Sequence, residues 1–504
     1  MIREPYDFSR GRDYRAYVRT LIFVYTSACY EHFGQNCRVQ ILHSLDSNLY
    51  SEIRKNGEPI IPTEEDVRAI REKMDHFVGS NTPVLKSHYP REEAMEIFHD
   101  LGRSDQEKLF HYRAYSNVNL YSLDEHLDYF YGRMLPQCGL LHAYDLVPYK
   151  DGMIIRVPVQ AQPDELQRFT PKPKLFSVFQ ESREWGRIAG VENIGQLNEC
   201  ICNGEIEQLM EVSEALHARN IADIAKRIAA RTVGKEDGIK LVLVAGPSSS
   251  GKTTFSQKLC IQLMAEGLSP HLISMDNFFK NREDLIPDEE GIRDFESLDA
   301  VDLDLLETTL QALFKGQTVE IPKFNFKTGI RESGEETLRL GDRDIIVMEG
   351  IHGLNDAASS FIPRDRKFKV YISPLTMISI DDHNRIPTTD GRLLRRMVRD
   401  YHHRGYTAAQ TIAQWPSVRA GEEKNIFPYQ EEADVMFNSV HIYELAVLKT
   451  FAEPLLFQVT PDQEEYEEAR RLIKFLSYVL GTDASPVPRS SILREFIGGG
   501  RYHQ

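Results

Sequence analysis

Residues 241–254 read LVLVAGPSSSGKTT, and this stretch decides the fold of the second half of the chain. Its five leading apolar residues predict a buried strand, and the residues after the glycine-rich loop predict a helix that Gly267 ends. Between a strand and a helix, G-x-x-x-x-G-K-[ST] is typical of a loop that binds phosphate, because the loop N–H groups and the helix N-terminus both favour an anion. The alternative is a Gly/Ser turn beside a buried strand, which the flanking strand and helix disfavour.

The loop supplies the predicted nucleotide-binding residues. Gly246 and Gly251 permit backbone angles that a Cβ resists. Lys252 can reach the β- and γ-phosphates, which also makes it a predicted catalytic residue, and Thr253 can ligate Mg²⁺. These roles predict ATP and Mg²⁺ as cofactors. The full predicted set is Gly246, Ser248, Ser249, Ser250, Gly251, Lys252, Thr253 and Thr254.

Two later strands are predicted to end in an acidic residue. Asp276 follows the strand at 271–275, and Glu349 ends the apolar run at 344–348. The carboxyl ends of parallel strands form the edge where ligands bind. Asp276 is therefore a candidate base for an attacking hydroxyl, or alternatively a cap on the next helix. Glu349 is a candidate Mg²⁺ ligand beside Thr253, or alternatively an ordinary strand-end acid.

Four arginines at helical spacing follow a further apolar strand at residues 368–372. Arg392, Arg395, Arg396 and Arg399 occupy positions i, i+3, i+4 and i+7, which share one face of a helix. Guanidinium groups suit the spread charge of a transferring phosphoryl group. We therefore expect a mobile lid with at least two functional arginines, and the catalytic candidates are Arg392 and Arg395. The alternative is a solvated charged stripe.

Size and composition indicate a soluble protein of two or three domains. The 504 residues exceed one ordinary core, and 41% hydrophobic and 27% charged residues are usual for globular proteins. The net charge of −16 disfavours nucleic acid as the main partner. No apolar run approaches the roughly 18 residues of a membrane span, and the N-terminus lacks a secretion signal, so we expect a cytoplasmic protein with a small-molecule substrate. The sequence leaves open whether the protein forms a homo-oligomer.

The order of helix and strand signals predicts an α/β fold with an additional α+β domain. Residues 1–160 mix short strands and helices, one of which begins at Thr63. Residues 161–237 read as a helical connector. Residues 238–482 alternate strands and helices, which predicts a parallel sheet flanked by helices. Residues 483–504 read as a loosely held tail.

Residues 238–460 resemble the uridine kinase and phosphoribulokinase family of P-loop kinases. The resemblance rests on the motifs at 246–254, 274–279, 294–299, 321–326, 348–351 and 392–400. It implies that Asp276 is the base for a nucleoside 5′-hydroxyl, that Glu349 serves Mg²⁺, and that Arg392 contacts substrate or phosphate.

The chain departs from that family where uridine kinases hold the nucleoside. Glu296 stands where an aspartate contacts the ribose hydroxyls, and Phe324 and Gly329 stand where a tyrosine and a histidine hold the pyrimidine. The expected substrate-binding residues are therefore Glu296, Phe324 and Arg392. Because a lost polar contact changes discrimination, the phosphorylated compound need not be uridine.

Residues 15–160 resemble the second additional domain of threonyl-tRNA synthetases. The resemblance rests on the stretches at 43–50, 90–102 and 128–136 and on the helix from Thr63. The chain has no H-x-x-x-H, and Phe130 and Met134 replace the distant Cys and His, so we expect a scaffold, regulatory or oligomer surface without hydrolytic or metal chemistry. The two regions together resemble a bacterial group described as nucleoside kinases.

We therefore expect ATP-dependent phosphoryl transfer to a small acceptor, above all the 5′-hydroxyl of a nucleoside such as uridine. One alternative is a phosphoribulokinase-like sugar-phosphate kinase, in which His383 or Arg385 contacts an acceptor phosphate near Asp276. The other is a nucleotide-gated RNA-binding regulator, which the acidic composition disfavours. The insertion-like stretch at 381–386 either lines the acceptor pocket or is a structural loop.

Overall fold

The N-terminal 160 residues form two antiparallel sheets around a long buried helix. The computed structural model describes residues 6–235, 237–285, 296–325, 327–334 and 336–502. The first elements are α1 (Gly11–Phe33), β1 (Cys37–Leu45), β2 (Asn48–Lys55), β3 (Glu58–Ile60), α2 (Glu64–Gly79), β4 (Leu85–Pro90), α3 (Arg91–Asp100), α4 (Ser104–His111), β5 (Asn117–Leu123), β6 (His126–Asp128), β7 (Asp145–Tyr149) and β8 (Gly152–Arg156). One sheet has the order β1-β2-β8-β7, with β3 on β2, and the other has the order β4-β5-β6.

The helix predicted from Thr63 is confirmed as α2. Thr63 and Asp66 form a capping box, which satisfies two N–H groups at the start of the helix. The face predicted from the apolar spacing is buried and comprises Val67, Ile70, Met74 and Phe77. The region also holds Phe130 and Met134, which are buried in its apolar core.

Three helices connect the two halves, namely α5 (Pro173–Ile188), α6 (Ile194–Cys202) and α7 (Ile206–Ala230). One apolar core runs through α6 and α7. It contains Phe98 and Leu109 from the N-terminal half, Leu197 from α6, and Val244 from the second half. The predicted boundaries at 160 and 237 therefore divide the sequence into regions that share a core.

The second half is a five-stranded parallel sheet with helices on both faces, which confirms the predicted α/β class. Its elements are β9 (Leu241–Ala245), α8 (Lys252–Ala265), β10 (Ser269–Ser274), α9 (Leu303–Phe314), β11 (Val319–Glu320), β12 (Lys323–Asn325), β13 (Ile330–Glu332), β14 (Thr337–Leu338), β15 (Asp344–Glu349), β16 (Lys367–Ser373), α10 (Thr388–Arg404), α11 (Ala408–Asn425), β17 (Val435–Asn438), α12 (Glu444–Leu456), α13 (Tyr466–Leu476) and α14 (Arg494–Ile497). The strand order is β10-β15-β9-β16-β17. In the part of the chain that the structure describes, no helix is both long and apolar enough to cross a bilayer.

The strand register brings three strand ends to one edge of the sheet. Glu349, the last residue of β15, pairs with Ser274 on β10 and with Val244 on β9. Asp276 follows β10 by two residues, and the phosphate-binding loop follows β9 by one residue. The predicted acids and the loop therefore lie at the same carboxyl edge.

The tail is packed, which differs from the loosely held segment that its Pro and Gly content predicts. Ile492, Leu493, Phe496 and Ile497 are buried in the main core. These residues follow Pro486 and Pro488, and their apolar contacts hold the segment in place. The C-terminal residues are thereby fixed beside the phosphate-binding loop.

The insertion-like stretch at 381–386 joins the two halves and is a structural loop. The Asp382 carbonyl accepts a 2.8 Å hydrogen bond from the Ile41 amide, and its carboxylate pairs with Arg38. His383 Nδ1 lies 2.6 Å from Asp128 Oδ2, and both side chains are buried. Neither His383 nor this loop therefore serves as the acceptor site that the sequence left open.

The buried Asp128–His383 pair predicts a large stability effect. Burial alone would raise the pKa of Asp128, but His383 and Arg103 outweigh it and lower that pKa to about 2. Asp128→Asn leaves His383 and Arg103 without their shared counter-charge, so we expect a loss of about 3–5 kcal/mol at pH 7. Urea unfolding measures this loss. Asp124→Asn, at an exposed turn, is the matched control and should change little; an equally small effect of both variants would contradict the expectation.

Candidate active site

The loop between β9 and α8 has a shape that only glycine permits at its two ends. A Cβ on Gly246 would lie 2.1 Å from the Ile372 carbonyl oxygen. Gly251 has a φ of +83°, and a Cβ there would lie 2.4 Å from Cγ2 of Ile492. Both glycines predicted from the motif are therefore required by close backbone or side-chain approach as well as by conformation.

Two loop N–H groups bind carboxylates of the same chain. The Ser248 amide donates to Glu422 Oε1 at 2.9 Å, and the Thr254 amide donates to Glu495 Oε2 at 3.1 Å. Backbone N–H groups that bind carboxylates in such a loop and at a helix N-terminus can also bind phosphate oxygens. Glu422 on α11 and Glu495 on α14 could not be predicted from the sequence, because no local pattern links them to the loop.

Lys252 and Asp276 face each other across the edge of the sheet. Lys252 Nζ is half-buried and donates to the Pro247 carbonyl at 3.3 Å. Burial raises the pKa of Asp276, while Lys252 and Arg404 oppose that rise. Arg404, at the end of α10, is a neighbouring cation that the arginine spacing did not reveal.

Asp276 is not a helix cap. It lies in the first turn of a short 3₁₀ helix whose cap is Ser274, since the Ser274 Oγ accepts from the Asp276 amide at 3.4 Å. The Asp276 carboxylate receives no hydrogen bond from any residue within the described ranges. A half-buried carboxylate that receives no hydrogen bond and has a raised pKa is suited to accept a proton, which favours the base assignment over the cap alternative.

Glu349 lies where clustered negative charge favours a cation. Ser274 Oγ donates to its Oε1 at 3.3 Å. Burial, together with the charges of Asp276 and Glu495, raises the pKa of Glu349 to about 7, although Lys252 opposes this. Oxygen donors at Thr253 and Glu349 suit Mg²⁺, and a divalent cation would relieve the repulsion among the carboxylates. The residues present therefore fit the predicted metal.

The four predicted arginines lie on α10, but this helix is not an exposed lid. Arg392 is 2% exposed; its Nε donates to the Ser248 carbonyl at 3.2 Å, and it pairs with Glu422. Arg395 is fully buried, and its five N–H groups donate to Glu444, Ser439 and the Ser249 carbonyl. Both side chains therefore bind backbone carbonyls of the loop from the side of α10. The expected mobile lid is wrong because these cations have buried acidic partners.

Arg396 and Glu296 also lie beside the loop. Arg396 donates from Nη1 to Ser248 Oγ at 2.8 Å. Burial raises the pKa of Glu296, with Lys252 and Arg396 opposing and Glu422 adding to the rise. Glu296, predicted to bind substrate, thus lies within electrostatic reach of the loop lysine.

Phe324 and Gly329 frame the same region on the hairpin of β12 and β13. The Phe324 ring is buried edge-on to Phe279, with ring centroids 5.6 Å apart. Gly329 has a φ of +71° in the hairpin turn, so the residue aligned with a base-binding histidine has a conformational role here. The motif residues Asp294, Phe295 and Phe326 lie outside the described residues.

Comparison with known proteins matches the second half of the chain. The model of the phosphoribulokinase/uridine kinase family matches residues 241–446. A uridine kinase of Macrococcus caseolyticus is 30% identical over 197 residues, which are 39% of this chain and 86% of that protein. A uridine kinase of Brevibacillus brevis is 30% identical over 197 residues, 39% of this chain and 83% of that protein. The chain belongs to the phosphoribulokinase/uridine kinase family.

Membership of this family makes the second half a P-loop kinase domain. A solved structure described as a "possible uridine kinase" from Bacillus stearothermophilus has a TM-score of 0.30 and 20% identity, covering 44% of this chain and 98% of that one. The family model leaves the first 240 residues outside its match. The synthetase-like character of residues 15–160 stays a prediction.

The pKa of Glu349 gives a test of its cation role. Because the pKa of Glu349 in the fold lies above the ordinary value of a glutamate, ionising Glu349 destabilises the fold as pH rises through about 7. Glu349→Gln removes that cost, so we expect its melting temperature to exceed that of the wild type by about 2–4 °C at pH 8 and to match it near pH 4.5. Scanning calorimetry at the two pH values measures the difference.

The same variant should also lose the stabilisation that Mg²⁺ with ATP gives the wild type. Glu320→Gln, at an exposed strand end, is the control and should retain it. A Glu349→Gln protein that melts lower at both pH values, with the Mg²⁺ effect intact, would make Glu349 an ordinary structural acid.

Proposed function

We propose that this protein transfers the terminal phosphoryl group of ATP to the hydroxyl of a small acceptor, and that the acceptor is a nucleoside. The observation that carries the proposal is the Asp276 carboxylate, half-buried and without a hydrogen-bond donor within the described residues, beside the Lys252 of a phosphate-binding loop. A base and a phosphate-binding lysine at one sheet edge are the parts that phosphoryl transfer to an alcohol requires.

Each residue has a role that follows from its surroundings. The loop amides and Lys252 hold the phosphates, and Thr253 and Glu349 hold Mg²⁺. Mg²⁺ supplies charge neutralisation for the transferring group. Asp276 accepts the proton of the acceptor hydroxyl, which its raised pKa favours. Arg392 and Arg395 keep the loop carbonyls turned away from the phosphates and are positioning residues.

The acceptor side of the site suits a nucleoside. Glu296, close to Lys252 and Arg396, offers a carboxylate that can accept hydrogen bonds from ribose hydroxyls. Phe324, which the family resemblance places near the base, is buried against Phe279 beside this region. The names of the relatives, which are uridine kinases, support a pyrimidine nucleoside as the first compound to test. Of the two cations expected for the sugar-phosphate alternative, His383 is buried against Asp128, and Arg385 lies near Asp390, Tyr14 and Tyr131.

An acceptor panel tests the proposal. ADP release is measured with ATP, Mg²⁺ and, in turn, uridine, cytidine, adenosine, ribulose 5-phosphate and pantothenate. We expect stimulation by at least one nucleoside and none by ribulose 5-phosphate. Asp276→Asn should retain nucleotide binding and lose about 10²–10⁴-fold in kcat. Lys252→Ala should abolish turnover with little change in melting temperature.

The melting temperature separates the base from a structural role. Since burial raises the pKa of Asp276, Asp276→Asn should leave stability unchanged or raise it. A clear loss of stability with full kcat in the remaining folded protein, or no stimulation by any acceptor, would contradict the proposal.

Glu495 predicts a further effect on nucleotide affinity. Its carboxylate holds the Thr254 amide, which a nucleotide phosphate would need, so binding must displace it. Glu495→Gln removes the competing charge, and we expect ATP affinity to rise about 3- to 10-fold, a gain of roughly 1 kcal/mol. Displacement of a fluorescent ATP analogue measures it. Glu467→Gln on the exposed face of α13 is the control; weaker affinity in Glu495→Gln would instead indicate a direct role in holding the cation.

A further inference from the structure

A second cleft lies where the N-terminal half meets α13, and none of its lining residues belongs to the candidate active site. Its volume is about 460 Å³, within the range of small-molecule sites. One wall comes from β4, β5 and the segment after β6, and the other comes from α13 and the residue that follows it closely, Tyr478. The polar lining comprises Lys86, Arg113, Asn117, Asn119, Arg133 and Lys474.

The charge of this cleft is opposite to that of the protein. Four cations line it, namely Lys86, Arg113, Arg133 and Lys474, and no Asp or Glu does. Among the described residues, none of the four has a carboxylate partner within ion-pair distance. The protein carries a net charge of −16, so a cluster of cations without acidic partners is unusual in it. Such a cluster favours the binding of an anion.

Arg113 is a buried cation of this cleft. It is 7% exposed, and its guanidinium lies 3.9 Å from the centre of the Tyr478 ring. Its Nη1 donates to Tyr129 Oη at 3.5 Å, and its buried Nε has no hydrogen-bond partner in the described part of the chain. A buried cation with an unused donor and no counter-charge is destabilising, so the fold retains it at a cost that an anion would offset.

The cations are close enough to repel one another. Desolvation inside the cleft and the charges of Arg113, Arg19 and Lys86 lower the pKa of Lys474 to about 8, although the residue as a whole stays exposed to solvent. Arg19 on α1 adds a fifth cation at the border of the cleft, where it lies over the Tyr131 ring. An anion with two or more negative charges would relieve this repulsion.

We propose that this cleft binds a small phosphorylated molecule, held by the four lining cations and by the side-chain amides of Asn117 and Asn119. Phosphate oxygens accept several charge-assisted hydrogen bonds at once, which matches the guanidinium and ammonium donors. The ligand must be small, because α13 of the same chain forms the opposite wall of the cleft and limits the space between the two walls. This site is independent of the proposed kinase reaction, since its residues are different.

Calorimetric titration with inorganic pyrophosphate tests the proposal in the full-length protein. Lys86 and Lys474 are exposed, so Lys86→Ala/Lys474→Ala removes two of the four cations with the fold intact. Lys252→Ala weakens the phosphate-binding loop separately. The matched control is Lys226→Ala/Lys315→Ala, which removes two exposed lysines elsewhere and changes the net charge equally.

We expect pyrophosphate to bind the Lys252→Ala protein and to bind at least about 10-fold more weakly when Lys86→Ala/Lys474→Ala is added, since each charge-assisted bond contributes about 1 kcal/mol or more. The control pair should bind as Lys252→Ala does. Equal affinity with and without the cleft lysines, or no binding to the Lys252→Ala protein, would overturn the proposal. Binding of transfer RNA that needs the cleft lysines and that pyrophosphate does not displace would overturn it in favour of a nucleic-acid surface. Failure of the kinase proposal would appear separately, in the acceptor panel.

Discussion

The phosphate-binding loop depends on two buried arginines behind it. Arg392 binds the Ser248 carbonyl and Arg395 binds the Ser249 carbonyl, so both oxygens are held on the side of α10. With the carbonyls fixed there, the loop N–H groups are left to face an anion. Buried guanidinium groups are tolerated only with counter-charges, which Glu422 and Glu444 provide. The loop is therefore shaped by charge pairs that come from three separate helices.

The same arrangement explains why the site accumulates negative charge. Glu422 and Glu495 hold two loop amides, and Asp276 and Glu349 lie at the adjacent strand ends. Without a cation, this crowding keeps part of the cluster protonated, as the raised pKa of Glu349 shows. In the proposed reaction, a nucleotide with its metal would replace carboxylate by phosphate at the amides and would add positive charge at the strand ends. The protein thus stores electrostatic repulsion that substrate binding can relieve.

Local sequence patterns predicted the parts of this site that lie close together in the chain. The strand, loop and helix around Lys252 and the strand ending in Glu349 follow from hydrophobic runs and glycine positions. The burial of Arg392 and Arg395 could not be predicted from the sequence. Helical spacing shows that the arginines share a face, but it does not show whether that face contacts solvent or buried acidic residues. The roles of Glu422 and Glu495 could not be predicted either, because these residues contact the loop only through the tertiary fold.

The helix α13 is one of the elements that lie between the N-terminal half and the phosphate-binding loop. It lines the cationic cleft with Lys474 and packs against α11, the helix that carries Glu422. Glu422 in turn holds the Ser248 amide. A ligand in the cleft changes the loop only if it binds two arrangements of α13 and α11 with different affinity. Since both helices belong to one packed core, such arrangements must be discrete repackings and not a continuous bend, which sets the physical condition for any coupling between the two halves.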